Sequence, residues 1–309
     1  MRTALLGMGH HLPPLGDAAG VKRPIAETGG TSDLARPAAE AALAQAGAST
    51  DEVDFIVFAT MTPDVTFPGA ACFFQHKLAC GTIGSLDVRA QCAGFLFGLS
   101  VADQFIRLGT YRRVLLVAAE VMSPGLEYSE RGAPVARLFG DGAAAVVLGP
   151  AGGDGGLSSV VIHADGRHYD RFWCEYPSSR QHPVRMTLED FREGRHFPFL
   201  DFETVRQFGA ATLPAVIDES LAAAGVDRDR IDRFVLGHVF PDVVDQVADQ
   251  MGVSAKVLNP SRQYGHLVAA SLPVSLSAAV AAGEIGPGAT VCLAACGAGF
   301  TWGAAVVQL

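Results

Sequence analysis

Charge is scarce in this chain, aromatics are few, and no two cysteines are spaced as a pair. Charged residues make up 18% of the 309 and aromatic residues 8%. The 32 Asp and Glu outnumber the 23 Lys and Arg, and the formal net charge of -9 offers no basic footprint for a phosphate backbone, so no nucleic-acid partner is expected. The six cysteines (Cys72, Cys80, Cys92, Cys174, Cys292, Cys296) contain no CxxC pair and no Cys/His spacing typical of zinc. Neither a disulfide framework nor a metal site is expected, and most of these thiols read as small core residues. No apolar stretch reaches the roughly 20 residues of a membrane-spanning helix, so no membrane partner is expected. The N-terminal MRTALLGMGHHLPPLG has a short apolar run that a histidine pair and prolines interrupt before a signal-peptide core can form. The expectation is a cytoplasmic protein.

What the chain has in quantity is apolar residues, at 49%, and 35 glycines. That mixture fits a layered α/β protein whose central elements are covered on both faces. It also repeats itself. Residues 40–60 (EAALAQAGASTDEVDFIVFAT) match 219–238 (ESLAAAGVDRDRIDRFVLGH): an Ala/Leu-periodic helix ended by Gly47 or Gly225, an acidic turn, then a β-branched and aromatic strand. Residues 91–109 match 265–283 as nearly all-apolar, hence central, helices closed by glycine. Residues 140–149 match 297–309 as glycine turns opening into Ala/Val strands. Three matches in the same order indicate duplication into halves 1–155 and 156–309.

The frame that sets Gly109 opposite Gly283 puts Cys92 opposite His266, 174 residues on, with both expected at the N-terminal ends of buried helices. The frame of Gly47 and Gly225 puts His238 opposite Thr60 at a strand end, where α/β proteins place their chemistry. A cysteine in Ala/Gly surroundings is ordinarily a buried structural thiol. At a helix start, facing a symmetry-related histidine, it becomes a candidate nucleophile, with a thiol pKa expected to be lowered by unpaired N–H groups and the helix dipole.

The strings TPDVTFPGAAC (62–72), DVRAQCAGF (87–95), FGDGAAAVVL (139–148), YGHLVAASLP (264–273) and GAGFTWGAAVV (297–307) resemble the 3-oxoacyl-[acyl-carrier-protein] synthase III family over nearly the whole chain. The resemblance implies a thiolase-like, duplicated five-layer αβαβα fold and a homodimer. It implies acyl thioesters on coenzyme A or acyl carrier protein as substrates, with no bound cofactor. Carried across residue by residue, Cys92 is the acylated nucleophile and His238 the first catalytic histidine. The backbone N–H groups of Cys92 and Ala298 form the oxyanion hole, and Phe67 reaches the partner's acyl pocket.

Three departures from the family pattern matter. The family's YGN is YGH here, which makes the triad Cys92/His238/His266 and keeps both decarboxylative condensation and simple acyl transfer to an O, N or S acceptor chemically open. No tryptophan precedes Trp173, so the family's nucleotide clamp is missing, and Lys22, Arg23 and Arg131 become the candidate thioester-carrier contacts. After His238 the helix reads HVFPDVVDQVADQMG, where Asp242, Asp245 and Asp249 would repel an acidic carrier. Decarboxylative condensation leads, acyl transfer without condensation follows, and a non-catalytic ketosynthase-like partner subunit is the third reading. The segment 166–186, which breaks the repeat, is expected as a surface insertion, a solvated loop ahead of a lid.

Overall fold

The structure is a computed structural model that describes residues 2–153 and 155–309. Strands β1 (Thr3–His11), β2 (Phe55–Ala59), β3 (Gly84–Val88), β4 (Val114–Glu120) and β5 (Gly142–Pro150) form one sheet. Strands β6 (Gly156–Ala164), β7 (Arg233–Gly237), β8 (Val257–Leu258), β9 (Thr290–Gly297) and β10 (Thr301–Gln308) form a second. The first runs β1-β5-β4-β2-β3 and the second β6-β10-β9-β7-β8. In each, two antiparallel pairings are followed by two parallel ones. The edge strands β1 and β6 even share a bulge, at Leu5/Gly7 and opposite Val306/Val307.

The helices obey the same duplication: α1 (Thr31–Ala46), α2 (Ala70–Leu78) and α3 (Gly94–Arg107) in the first half, α4 (Phe202–Ala224), α5 (Pro241–Met251) and α6 (Ser271–Ala281) in the second. Side chains alternate across each strand. Ile56 and Phe58 face a cluster with α1 and α2, while Val57 and Ala59 face a central cluster with α3 and α6. In the second sheet Phe234 and Leu236 face α4 and α5, and Val235 faces the same central cluster. The layers are therefore αβαβα, with α3 and α6 sandwiched between the sheets. That is why these two helices are apolar over most of their surface.

Helices α1 and α4 end at Gly47 and Gly225, whose φ of 60° and 66° let the chain turn back with N–H groups capping the last carbonyls. Gly7 and Gly9, two apart on β1, share the face under α1. A Cβ on Gly9 would meet the Ala41 Cβ and the Ala42 nitrogen at 2.7 Å, and one on Gly7 would crowd Ala46. This helix rides on the sheet at backbone contact distance. Gly9→Val is expected to destabilise the protein by about 1–3 kcal/mol through overpacking, seen as a lower midpoint in urea unfolding; an unchanged midpoint would contradict this packing.

Candidate active site

Between β3 and α3 the chain makes a one-turn 3-10 helix, Gln91–Ala93, which carries Cys92. Its counterpart before α6 is Val268–Ala270. Gln91 and Val268 both take left-handed backbone angles, φ 44° and 51°, so the two turns superpose at a spacing of 177 residues. The structural twin of Cys92 is thus Ala269, and the twin of His266 is Arg89, which corrects the expected Cys92–His266 equivalence. The glycines that suggested the spacing of 174 close helices of unequal length, 14 residues in α3 and 11 in α6, so the frame slips within the helix. The Thr60–His238 equivalence holds, each lying one residue past β2 or β7.

His266 nevertheless meets Cys92. It sits between the short helix Pro260–Tyr264 and the Val268 turn, and its backbone is fastened to the facing half: its N–H donates to the Leu138 carbonyl at 2.7 Å and the Gly140 N–H donates to its carbonyl at 3.2 Å. Its Nε2 lies 3.0 Å from the Cys92 sulfur, and both residues are buried. The tautomer follows from Ser261, whose hydroxyl donates to the His238 carbonyl at 2.6 Å and lies 3.2 Å from His266 Nδ1. With that proton committed, Ser261 accepts from Nδ1–H, which leaves Nε2 as the acceptor for the Cys92 S–H.

Burial sets the resting protonation. It pushes the Cys92 thiol up to about 12, against the lowering effect of the Ala298 and Cys92 backbone N–H groups aimed at the sulfur, while the Glu120 carboxylate adds to the rise. It pushes His266 down to about 3. The expected lowered thiol pKa is therefore reversed: desolvation outweighs a helix start, and the pair rests as thiol and neutral imidazole. Gly297 makes the approach feasible, because a Cβ there would strike the Cys92 Sγ and Cβ. Thr301 Oγ1 lies 3.0 Å from the carbonyls of both Ala90 and Ala298, and its one proton, shared between them, ties the Ala298 loop to the Cys92 turn.

His238 is reached through Ser261. Its Nδ1 accepts the Phe240 N–H at 3.1 Å, which places the proton on Nε2. Burial lowers its pKa to about 4, and among the described residues Nε2 has no hydrogen-bond partner; the Val205 carbonyl lies near the ring without reaching bonding geometry. The ring lies against Gly209 in the middle of α4, where a Cβ would fall on Nε2 and within 2.7 Å of Cδ2.

Glu120, at the end of the all-apolar β4, is fully buried and accepts from the N–H groups of Met61 and Thr62 at 3.1 Å and from the Thr62 hydroxyl at 2.6 Å. Burial raises its carboxyl to about 7 despite these bonds. Strand register makes it the twin of Gly297: the carboxylate fills in one half the space that glycine leaves for sulfur in the other.

Cys92 opens on a cavity of about 270 Å³ lined by Met61, Arg89, Met122, Phe172, Trp173 and Ala298, among others. Tyr169, Phe172, Trp173 and Cys174 of the segment 166–186 form part of its wall, so that segment is not simply a solvated loop. Trp173 pairs through β-bridges with Phe199, and Arg180 lies 5.2 Å over its ring. Of the candidate carrier contacts, none lines this cavity. Lys22 is exposed on a hairpin, Arg23 donates to the Arg137 carbonyl beside Gly265, and Arg131 pairs with Glu127 in a neighbouring cavity of about 440 Å³. Phe67 is 78% exposed and outside the cavity. On α5, Asp242 pairs with Arg206, Asp245 with Arg262, and Asp249 accepts from the Ser254 hydroxyl at 2.5 Å, so the expected repulsion is largely neutralised in place.

Family models for 3-oxoacyl-[acyl-carrier-protein] synthase III match residues 86–166, and for its C-terminal region 221–309. The β-ketoacyl-[acyl-carrier-protein] synthase III of Rhodospirillum rubrum is 40% identical over 297 residues, covering 94% of this chain and 87% of that protein. The chain belongs to the 3-oxoacyl-[acyl-carrier-protein] synthase III family. Among solved structures of the family, the synthase III of Aquifex aeolicus VF5 superposes with a TM-score of 0.89 at 25% identity, covering 99% of this chain and all of that one. The priming β-ketosynthase of the R1128 polyketide pathway gives 0.87 at 26% identity, covering all of this chain and 96% of that one. The five-layer architecture is the family's. Ser261, Gly209, Gly297 and Glu120 are the site residues that sequence reasoning missed; the signals were a carboxylate ending an apolar strand and a glycine inside a long helix.

Because burial holds the pair neutral, no Cys92-dependent thiolate absorbance is expected between about pH 6 and 9, measured in the ultraviolet against Cys92→Ser. A thiolate plateau near neutral pH would contradict the neutral pair.

Proposed function

We propose that the protein is a ketosynthase that loads an acyl group onto Cys92 and condenses it with a malonyl-type thioester by decarboxylation. The Cys92–His266 contact at 3.0 Å, with two backbone N–H groups aimed at the same sulfur, is the observation that carries this reading. In the loading step the thiol proton passes to His266 Nε2 as sulfur attacks the donor carbonyl. The oxyanion is received by the Cys92 and Ala298 N–H groups, each worth roughly 3 kcal/mol to the transition state. Collapse breaks the carbon–sulfur bond to the carrier, whose thiolate takes the proton back from His266. The malonyl-type thioester then loses CO2, and its enolate attacks the acyl carbonyl to form the carbon–carbon bond. Cys92 leaves as thiolate and takes up one proton from solvent, relayed by His266, which ends neutral as it began.

The enolate oxygen needs donors. The unpartnered Nε2–H of His238 supplies one, since a buried donor without a partner costs about 1–3 kcal/mol that a substrate oxygen can recover. Ser261 allows His266 to supply the other: once the thiol is acylated, the Nδ1 proton can leave to solvent while one is taken up at Nε2, and the Ser261 hydroxyl turns from accepting Nδ1–H to donating to Nδ1 in the new tautomer. The Cys/His/His set thus does the work of the family's asparagine with a group that also moves a proton. The exposed Phe67 supports a homodimer in which that ring enters the second copy.

Intact-protein mass measurement with acyl and malonyl thioesters on coenzyme A and on carrier protein tests the reading. A Cys92-dependent acyl adduct that releases CO2 on adding a malonyl thioester is expected; an adduct discharged to an alcohol, amine or thiol without CO2 would establish acyl transfer instead. Gly209→Ala, which displaces the His238 ring, is expected to slow CO2 release at least tenfold, the usual size of a lost acid–base or donor group, with a much smaller effect on acyl loading. Equal loss in both half-reactions would count against His238 as an enolate donor.

A further inference from the structure

Among the described residues, Arg89 is the one charged side chain lining the Cys92 cavity, which is otherwise walled chiefly by apolar and aromatic groups. Its guanidinium donates to the Met61 carbonyl at 3.2 Å, and the Met61 N–H is held by Glu120, so the Met61 backbone that Arg89 bonds to is itself fixed. Arg89 also lines a second cavity of about 570 Å³ that shares Met61 and Cys174 with the first and has Arg185 on its wall. Among the described residues, neither arginine has an ion-pair partner. Asp87 lies in the same cavity, but its two oxygens accept the Ala70 and Ala71 N–H groups at 2.7 and 2.9 Å, capping α2. The cavity on the other side of Trp173 has a different balance: Arg131 pairs with Glu127, Arg195 pairs with Glu193, and Glu175 stands beside them. An oxyanion in the Cys92 cavity therefore meets, on the Arg89 side, guanidinium whose charge has no carboxylate paired to it.

Resting on the acyl-enzyme reading above, we propose that Arg89, with Arg185 at the outer end, receives the terminal carboxylate of the acyl group loaded on Cys92. The donors are then thioesters of dicarboxylic acids, with the methylene chain along Met61, Met122 and Phe172. The planar guanidinium suits a carboxylate, and a charge-assisted pair of this kind discriminates strongly against a methyl terminus, which would leave the arginine facing apolar chain. The phosphate of a carrier arm is an oxyanion of the same kind, and the choice of thioester separates the two.

The test is single-turnover acylation of Cys92 by N-acetylcysteamine thioesters, which carry no phosphate, comparing succinyl, glutaryl and adipyl with butyryl, valeryl and hexanoyl groups. Wild-type protein is expected to prefer the carboxylated member of each pair by about tenfold or more, the ratio is expected to collapse in Arg89→Met, and Arg89→Lys is expected to restore part of it. Equal or better acylation by the monocarboxylic groups in the wild type would overturn the proposal without any variant, as would a preference that survives Arg89→Met. An Arg89 effect seen with coenzyme A thioesters but absent with N-acetylcysteamine would assign the arginine to the phosphate and overturn it too. Failure of every thioester to acylate Cys92 would instead strike the acyl-enzyme reading itself.

Discussion

Everything in the site depends on one buried contact, the thiol of Cys92 against Nε2 of His266. Each group alone would be a polar atom stranded in the core, and each as an ion would be costlier still; paired as thiol and neutral imidazole they satisfy one another. In the proposed mechanism the reactive form is made only as the substrate carbonyl arrives, when the proton moves to His266 and the developing negative charge moves onto oxygen received by two fixed N–H groups. Strand β9 places Gly297 and Ala298 over the sulfur, and Ser261 fixes the imidazole from behind.

Duplication explains how the contact is built and why there is one site instead of two. The twin turns at Gln91 and Val268 bring the N-terminal ends of α3 and α6 together between the sheets. The halves then diverge at the four corresponding places: Cys92 against Ala269, His266 against Arg89, His238 against Thr60, Gly297 against Glu120. In the N-terminal half's version of the site, a carboxylate bonded to the Met61–Thr62 turn takes the space that glycine leaves open in the other, and this supports the wall of the working cavity. The cost is pH-dependent. His238 and His266 have depressed pKa values, so the unfolded chain binds protons that the fold excludes and stability falls as pH drops below the ordinary histidine value. Glu120, raised to about 7, works the other way, losing its share as pH rises from the ordinary carboxylate value through 7.

Much of this was legible in the residues. Glycine-closed helices, acidic turns and apolar strands in repeated order disclosed the layers, because local periodicity reports which faces are buried. Cys92 and His266 stood out through a repeat frame that ran three residues off the true one, and His238 through its place at a strand end and the family resemblance. What escaped was tertiary. A three-residue difference in helix length shifted the symmetry frame, and the resting thiol pKa depends on burial that no local motif encodes. Asp242 and Asp245 looked free until Arg206 and Arg262, from other elements, met them. Ser261 carries no signal of its own, and Gly209, a glycine inside a long helix, does not disclose which ring lies against it.

The most direct measurement is single-turnover acylation of Cys92 in His266→Ala beside His238→Ala, followed by intact mass. Loading should be lost in His266→Ala and kept in His238→Ala, since only the first removes the base that takes the thiol proton. Loading at the wild-type rate in His266→Ala would contradict a neutral pair activated by proton transfer at the moment of attack.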